Sequence, residues 1–295
     1  MSRREELIAL LGKRPKLAPS GQVLFTRPHG KATLETLALT LNDIEQVPAY
    51  FAYPNDGQTH PLVIFNHSHG GNFALGKDEL IAGNTYLCDP PFLDALLAQG
   101  YAVGCIDMFA FGERQGFKEE ELVKSFLITG RTVWGMRLFD NMQFVSYLSM
   151  RPEVDPARIA TIGMSMGGMM SWWLAALDPR IKVCVDIAGQ VDLETLMAQR
   201  GLGHHGFYYY VPSLLEHFST QQIQELIVPK ARLSLSGRGD VMCPIQGVQK
   251  LDAGLQVAYA KAQQPDNWRS ISATGGHQET AAMRAAWLQF MQVHL

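Results

Sequence analysis

Arg158-Ile159-Ala160-Thr161-Ile162-Gly163-Met164-Ser165-Met166-Gly167-Gly168 is the stretch on which the fold is decided. Its first five residues form a short β-branched and apolar run that reads as a strand. The next five match Gly-x-Ser-x-Gly, and residues 166–177 read as a helix. A serine on the turn between a buried strand and a helix, with glycine on both sides, is the pattern of a strained elbow that lifts a hydroxyl out of a sheet edge. Side chains at Gly163 and Gly167 would collide with the neighbouring strand and helix, and Gly168 extends the room for close approach. The helix N-terminus behind Ser165 favours a developing negative charge. Ser165 is therefore the candidate nucleophile.

Working outward, further short apolar runs read as strands: Leu62-Val63-Ile64-Phe65, the segment 101–107, Ile181 to Asp186, Ala231 to Ser236, and 268–272. Helical segments lie between and after them, at about 90–99, 119–150, 244–263 and 278–293. The second is one long stretch or two helices, since Gly130 and Gly135 interrupt it. Upstream, residues 1–12 read as a short amphipathic helix ended by Gly12, and 21–27, 33–42 and 47–53 as successive antiparallel strands. Strand and helix alternate from residue 60 onward, which predicts an α/β fold with a mainly parallel central sheet and helices on both faces. The expected organisation is a single domain over 1–295, with an N-terminal helical arm (1–20) and a cap-like insertion (188–228) over the carboxyl edge of the sheet, where binding sites form.

A serine hydroxyl needs a base to take its proton, and that base needs a carboxylate to orient it. For this arrangement the chain order is serine, then acid, then histidine. Asp240 follows a strand in Ser236-Gly237-Arg238-Gly239-Asp240, and His277 follows the last strand in Thr274-Gly275-Gly276-His277. Asp266 is the reserve acid, but it precedes the last strand, at the wrong edge of the sheet. Of later histidines there is only His294, next to the C-terminus. A tetrahedral oxyanion needs two N–H donors. One is expected from Met166 and the other from the loop Asn66-His67-Ser68-His69-Gly70-Gly71-Asn72, with His69 favoured and Gly70 as the alternative. His67 and His69, joined by His204 and His205, also suggest a metal site, but no Cys, Asp or Glu stands at diagnostic spacing, so no metal is expected. Glu113, Tyr208 and Tyr209 are candidate substrate contacts. Glu113 and Arg114 could instead pair with each other, and the tyrosines could instead pack the insertion onto the body. Trp172 and Trp173 read as core.

The 295 residues carry a formal net charge of −3, 47% hydrophobic and 18% charged residues. With no basic stripe, nucleic acid is not an expected partner. The N-terminus has acidic residues where a secretory leader needs an apolar run, and no segment reaches membrane length, so a cytoplasmic location is expected by default. Cys88, Cys105, Cys184 and Cys243 form no Cys-x-x-Cys pair, and Cys105 and Cys184 read as small core residues. The first 20 residues are candidates for contacts between copies in a homo-oligomer.

With these motifs in place, the chain resembles the α/β-hydrolase superfamily over about residues 60–290, and its dienelactone-hydrolase-like and acetyl-xylan-esterase-like branch in particular. The resemblance rests on the loop 66–72 with Leu75-Gly76-Lys77-Asp78-Glu79 after it, on Asp107 to Arg114, and on His205 to Pro212. It implies hydrolysis of a carboxylic ester through an acyl-enzyme, with no metal or organic cofactor; the alternatives are a peptidase or other acyl-transfer enzyme on the same fold, and a non-catalytic binding protein. Two departures stand out. Dienelactone hydrolases use a cysteine where this chain has Ser165, and many relatives have His-Gly where it has His67-Ser68.

Overall fold

A computed structural model describes residues 1–295. Nine strands form one sheet: β1 (Ser20–His29), β2 (Ala32–Thr40), β3 (Val47–Pro54), β4 (His60–Asn66), β5 (Ala102–Ile106), β6 (Val154–Met164), β7 (Ile181–Ile187), β8 (Ala231–Gly237) and β9 (Trp268–Ala273). Their spatial order is β1-β2-β3-β5-β4-β6-β7-β8-β9. The first three strands and the β3–β5 pairing are antiparallel, and everything from β5 to β9 is parallel. Edge strand β1 is exposed along nearly its whole length and bulges between Val23 and Phe25, a device that twists an edge away from stray pairing.

The central parallel strands are covered on both faces, so every residue of β4, β5 and β8 is buried, whereas on edge strand β9 only Trp268 is. On β4, Leu62 and Ile64 point into one core with α5 (Val133–Leu148) and α6 (Met166–Leu177). Val63 and Phe65 alternate to the other face, against α3 (Phe92–Leu97) and α11 (Ala281–His294). Phe92 stacks on Trp287 there at 5.3 Å. The remaining helices are α1 (Arg3–Leu10), α2 (Glu79–Ala82), α4 (Glu119–Ile128), α7 (Leu193–Ala198), α8 (Leu214–His217), α9 (Thr220–Glu225) and α10 (Ile245–Lys261). No helix is long and apolar enough to cross a membrane.

The N-terminal arm docks on its own chain: Leu7 and Leu11 are fully buried, and Arg4 donates to the carbonyls of Ala176 and Leu226. The stretch 119–150 is two helices, and only one of its glycines separates them. Gly130 adopts φ +74° in the break between α4 and α5. Gly135 lies inside the first turn of α5, where Thr132 caps its N–H. It is glycine because a Cβ would meet the Leu11 carbonyl oxygen at 2.3 Å, so it serves the approach of the arm rather than a helix end. Residues 188–228 carry α7, α8 and α9 with two short 3-10 turns, and Tyr208 and Tyr209 from this segment are buried in the same core as α5 and α6.

Candidate active site

The turn between β6 and α6 holds Ser165 at φ 56° and ψ −121°, a conformation L-residues avoid and one that costs roughly 1–3 kcal/mol. The surroundings enforce it. A Cβ on Gly163 would lie 2.5 Å from the Asn66 carbonyl oxygen, and one on Gly167 would lie 1.9 Å from the same atom. With those side chains absent, β4 and the start of α6 close on each other and the serine is held out between them. Its own N–H is tied to the Ile187 carbonyl at 2.8 Å.

Asp240 and His277 arrive from the adjacent loops after β8 and β9. These loops run side by side: Arg238 N–H donates to the Ala273 carbonyl (2.9 Å) and Gly239 N–H to the Gly275 carbonyl (2.8 Å). The approach leaves no room for a side chain at Gly237, whose Cβ would meet the Gly276 oxygen at 2.2 Å. His277 Nε2 lies 2.7 Å from Ser165 Oγ, and its Nδ1 lies 2.7 Å from Asp240 Oδ2. The other carboxylate oxygen, Oδ1, accepts the N–H groups of Met242 (2.8 Å) and Cys243 (3.3 Å). Asp240 is buried while the imidazole is 27% exposed, so the histidine borders solvent on one side and a fixed anion on the other. Such a chain can draw a proton from a serine hydroxyl and hold the resulting cation.

Two sets of N–H groups, at the start of α6 and in the loop after β4, have no intrachain partners. Met166 is the first residue of α6 and has no intrahelical acceptor. The backbone N–H groups of His69 and Gly70 make no hydrogen bond within the chain. The His69 ring is engaged: Nδ1 accepts from the Gly71 N–H at 2.9 Å and Nε2 lies 3.2 Å from the Tyr208 hydroxyl. Burial and the nearby Arg137 guanidinium pull its pKa down to about 4. His67 is fully buried, and desolvation pulls it down to about 3. Its ring bridges the Ser68 carbonyl (2.9 Å) and the Met108 N–H (3.2 Å). His205, in the insertion, reaches across to the acid loop, with Nε2 2.8 Å from the Met242 carbonyl, and His204 is exposed. The four histidines considered as metal ligands are thus not gathered. The ligand-type atoms that do lie within 4.8 Å of one another belong to Asp240, Cys243 and His277.

The other candidates meet differing surroundings. Glu113 and Arg114 do not pair with each other. Glu113 accepts from Lys77 Nζ at 2.5 Å, and Lys77 also reaches the buried Asp107 at 2.9 Å. Arg114 is buried against Asp140 (2.9 Å) and Glu45 (2.8 Å). Tyr208 reaches the site through its bond to His69. Tyr209 does not: it is 1% exposed, its ring meets Trp134 edge-on at 5.1 Å, and its hydroxyl has no well-formed hydrogen bond. It packs the insertion onto the body. Asp266 lies in the turn before β9, at the opposite sheet edge from Ser165. Sequence reasoning missed the supports of the 67–70 loop. Glu79, fully buried on α2, accepts from Ser68 N–H (2.8 Å) and Ser68 Oγ (2.6 Å), and no short motif announces that contact.

Comparison with known proteins agrees with this architecture. Residues 14–290 match the family described as X-Pro dipeptidyl-peptidase (S15 family). The chain is 46% identical over 292 residues to the "Putative hydrolase YtaP" of Bacillus subtilis (strain 168), covering 98% of both. Among solved structures it is similar to a glucuronoyl esterase from Solibacter usitatus (TM-score 0.69, 18% identity, 99% of this chain and 92% of that one). It is likewise similar to an acetyl xylan esterase from Paenibacillus sp. R4 (TM-score 0.65, 15% identity, 99% and 93%). At such identities the structural likeness establishes the α/β-hydrolase fold. The chain is a member of the X-Pro dipeptidyl-peptidase (S15) family of hydrolases.

Proposed function

We propose that this hydrolase cleaves a carboxylic ester through an acyl-enzyme on Ser165. The observation that carries the reading is the unbroken path from Ser165 Oγ through the His277 ring to Asp240, 2.7 Å at each step. His277 takes the serine proton as Oγ attacks the ester carbonyl. Asp240 holds the imidazole in the tautomer that accepts at Nε2 and stabilises the imidazolium. The N–H of Met166, with that of His69 or Gly70, receives the oxyanion. The imidazolium protonates the departing alcohol, and water then attacks the acyl-enzyme with the same groups in reversed roles.

A dipeptidyl peptidase is the second reading, favoured by the family match over residues 14–290. Release of a dipeptide requires the free amino terminus of the substrate to be held, most simply by an unengaged carboxylate. Around the 67–70 loop most carboxylates are already committed. Glu79 is bonded to Ser68, and Asp107 and Glu113 to Lys77, while Glu119 faces the Arg137 guanidinium at 3.6 Å without a hydrogen bond to its Oε2. The wall beside the loop is instead aromatic: His69 stacks on Phe73 at 5.1 Å and Phe73 on Phe111 at 5.0 Å. That lining suits the apolar part of a small ester.

The test is hydrolysis of p-nitrophenyl acetate and butyrate, and of an X-Pro p-nitroanilide, by the wild type and by Ser165→Ala with chelator present. Ester turnover that withstands chelator and falls about 10⁶-fold in the variant is expected. Full activity in the variant would overturn the serine mechanism, and turnover of the anilide alone would establish the peptidase.

A further inference from the structure

Ser68 is nearly inaccessible and immediately precedes the His69 and Gly70 N–H groups. Its backbone N–H and hydroxyl both end on the Glu79 carboxylate, 2.8 and 2.6 Å away. The Tyr86 hydroxyl lies 2.6 Å from Ser68 Oγ and donates to Glu79 Oε2 at 3.1 Å. Asn84 Nδ2 donates to the same tyrosine oxygen (2.6 Å) and to Glu79 (3.1 Å). No lysine or arginine pairs with Glu79, although its side chain is fully buried. A buried carboxylate held only by neutral donors is a poor way to fill a core and a good way to fix the groups that donate to it.

The other end of Tyr86 faces the histidine loop. Its carbonyl accepts the N–H of Glu279, two residues beyond His277, at 2.8 Å. The Glu279 carboxylate in turn accepts the Cys88 N–H at 2.9 Å and is held by Arg284 and Trp287. Gly70 rests on the Tyr86 ring so closely that a Cβ there would lie 2.4 Å from it. One residue thus touches both halves of the site: its ring and hydroxyl grip the loop with the free N–H groups, and its carbonyl grips the loop carrying the base.

We infer that Tyr86 and Glu79 are positioning residues that brace the oxyanion loop, at Ser68, against the histidine loop, at Glu279, and so set the distance from the oxyanion donors to His277. The inference rests on the ester-hydrolase reading above. It goes beyond that reading by assigning a role to two side chains that do not touch substrate. A misplaced donor weakens binding of the tetrahedral state more than binding of the planar ester.

The test compares wild type, Tyr86→Phe, Glu79→Gln and Ser165→Ala on p-nitrophenyl butyrate, with inhibition by butylboronic acid, which forms a tetrahedral adduct on the serine, and with urea melts. Tyr86→Phe keeps the ring under Gly70 and removes only the hydroxyl, so it decides the matter even where Glu79→Gln fails to fold. The expected result is a kcat lowered about 10- to 100-fold, KM within about twofold, and boronate affinity weakened by the same factor as kcat. An unchanged kcat in a folded Tyr86→Phe, or a rise in KM alone, overturns the brace while an inactive Ser165→Ala leaves the ester-hydrolase reading standing. An active Ser165→Ala overturns both.

Discussion

Two loops at the carboxyl edge of the sheet present histidines, and they use them in opposite ways. In the loop after β4, the His67 ring is wholly buried between two backbone groups, and the His69 ring is tied to Gly71 and Tyr208. Desolvation pulls both below the usual histidine range, to about 3 and about 4, so both are neutral at ordinary pH. In the loop after β9, His277 is partly open to solvent, and both its nitrogens meet groups that exchange or stabilise a proton, Ser165 Oγ and Asp240 Oδ2. Residue type and position on the sheet are shared. The difference lies in what the ring nitrogens touch: backbone and a neighbouring tyrosine in one loop, a hydroxyl and an anion in the other. On the proposed mechanism the first loop holds its shape so that its N–H groups can receive the oxyanion, and the second lets a proton move.

The sharpest way to break this contrast is to remove a ring from each loop. His277→Ala should lower kcat for a short p-nitrophenyl ester by about 10⁶, and adding Ser165→Ala to it should lower kcat little further, because groups acting as one unit are not additive. His69→Ala keeps its backbone N–H and should cost at most about tenfold, the equivalent of one lost contact of about 1.4 kcal/mol. Comparable losses in the two variants would show that the His69 ring is itself part of the chemistry.

A smaller effect should appear in stability. An unfolded chain protonates His67 near its ordinary value of 6.5, whereas the folded chain resists until about pH 3, because burial opposes the charge and Arg137, Lys77 and Arg114 add to it. The contribution of this ring to stability is therefore complete above pH 6.5 and declines as pH falls from there toward 3, by up to about 1.4 kcal/mol per pH unit. His67→Gln should be less stable than wild type at pH 7, and the gap should narrow as urea melts are taken down to pH 4.5. A gap that stays constant would mean that the ring is not held neutral.

The contrast also explains which parts of the molecule are legible in the sequence. Ser165, Asp240 and His277 are each announced locally, by glycines that let a chain turn sharply at a strand end, and the order of the three along the chain does the rest. The parallel sheet is announced by unbroken apolar runs such as Leu62 to Phe65. The brace of Glu79, Ser68 and Tyr86 is not announced, since it exists only once the segment 67–90 has folded back on itself. Gly130 and Gly135 look alike in sequence, yet one breaks a helix and the other accommodates the Leu11 carbonyl, a partner more than a hundred residues away. Likewise, three consecutive tyrosines in an irregular insertion do not reveal which ring turns inward.

That last ambiguity yields the smallest effect. The hydroxyl of Tyr208 meets the His69 ring, whereas that of its neighbour Tyr209 is buried beside the indole of Trp173 without a well-formed hydrogen bond. A buried polar group in that condition has lost its water and gained little in return, so replacing it with a hydrogen atom is close to neutral or slightly stabilising, by up to about 1 kcal/mol. Tyr209→Phe should therefore leave kcat and KM for short esters within about twofold of wild type, as expected for a change remote from the reacting groups, and should melt in urea at an equal or higher midpoint. A several-fold rise in KM would return Tyr209 to the substrate site. A marked loss of stability would mean that its hydroxyl bonds the Trp173 indole strongly, and that the packing of the insertion depends on that bond rather than on the aromatic contacts with Trp134.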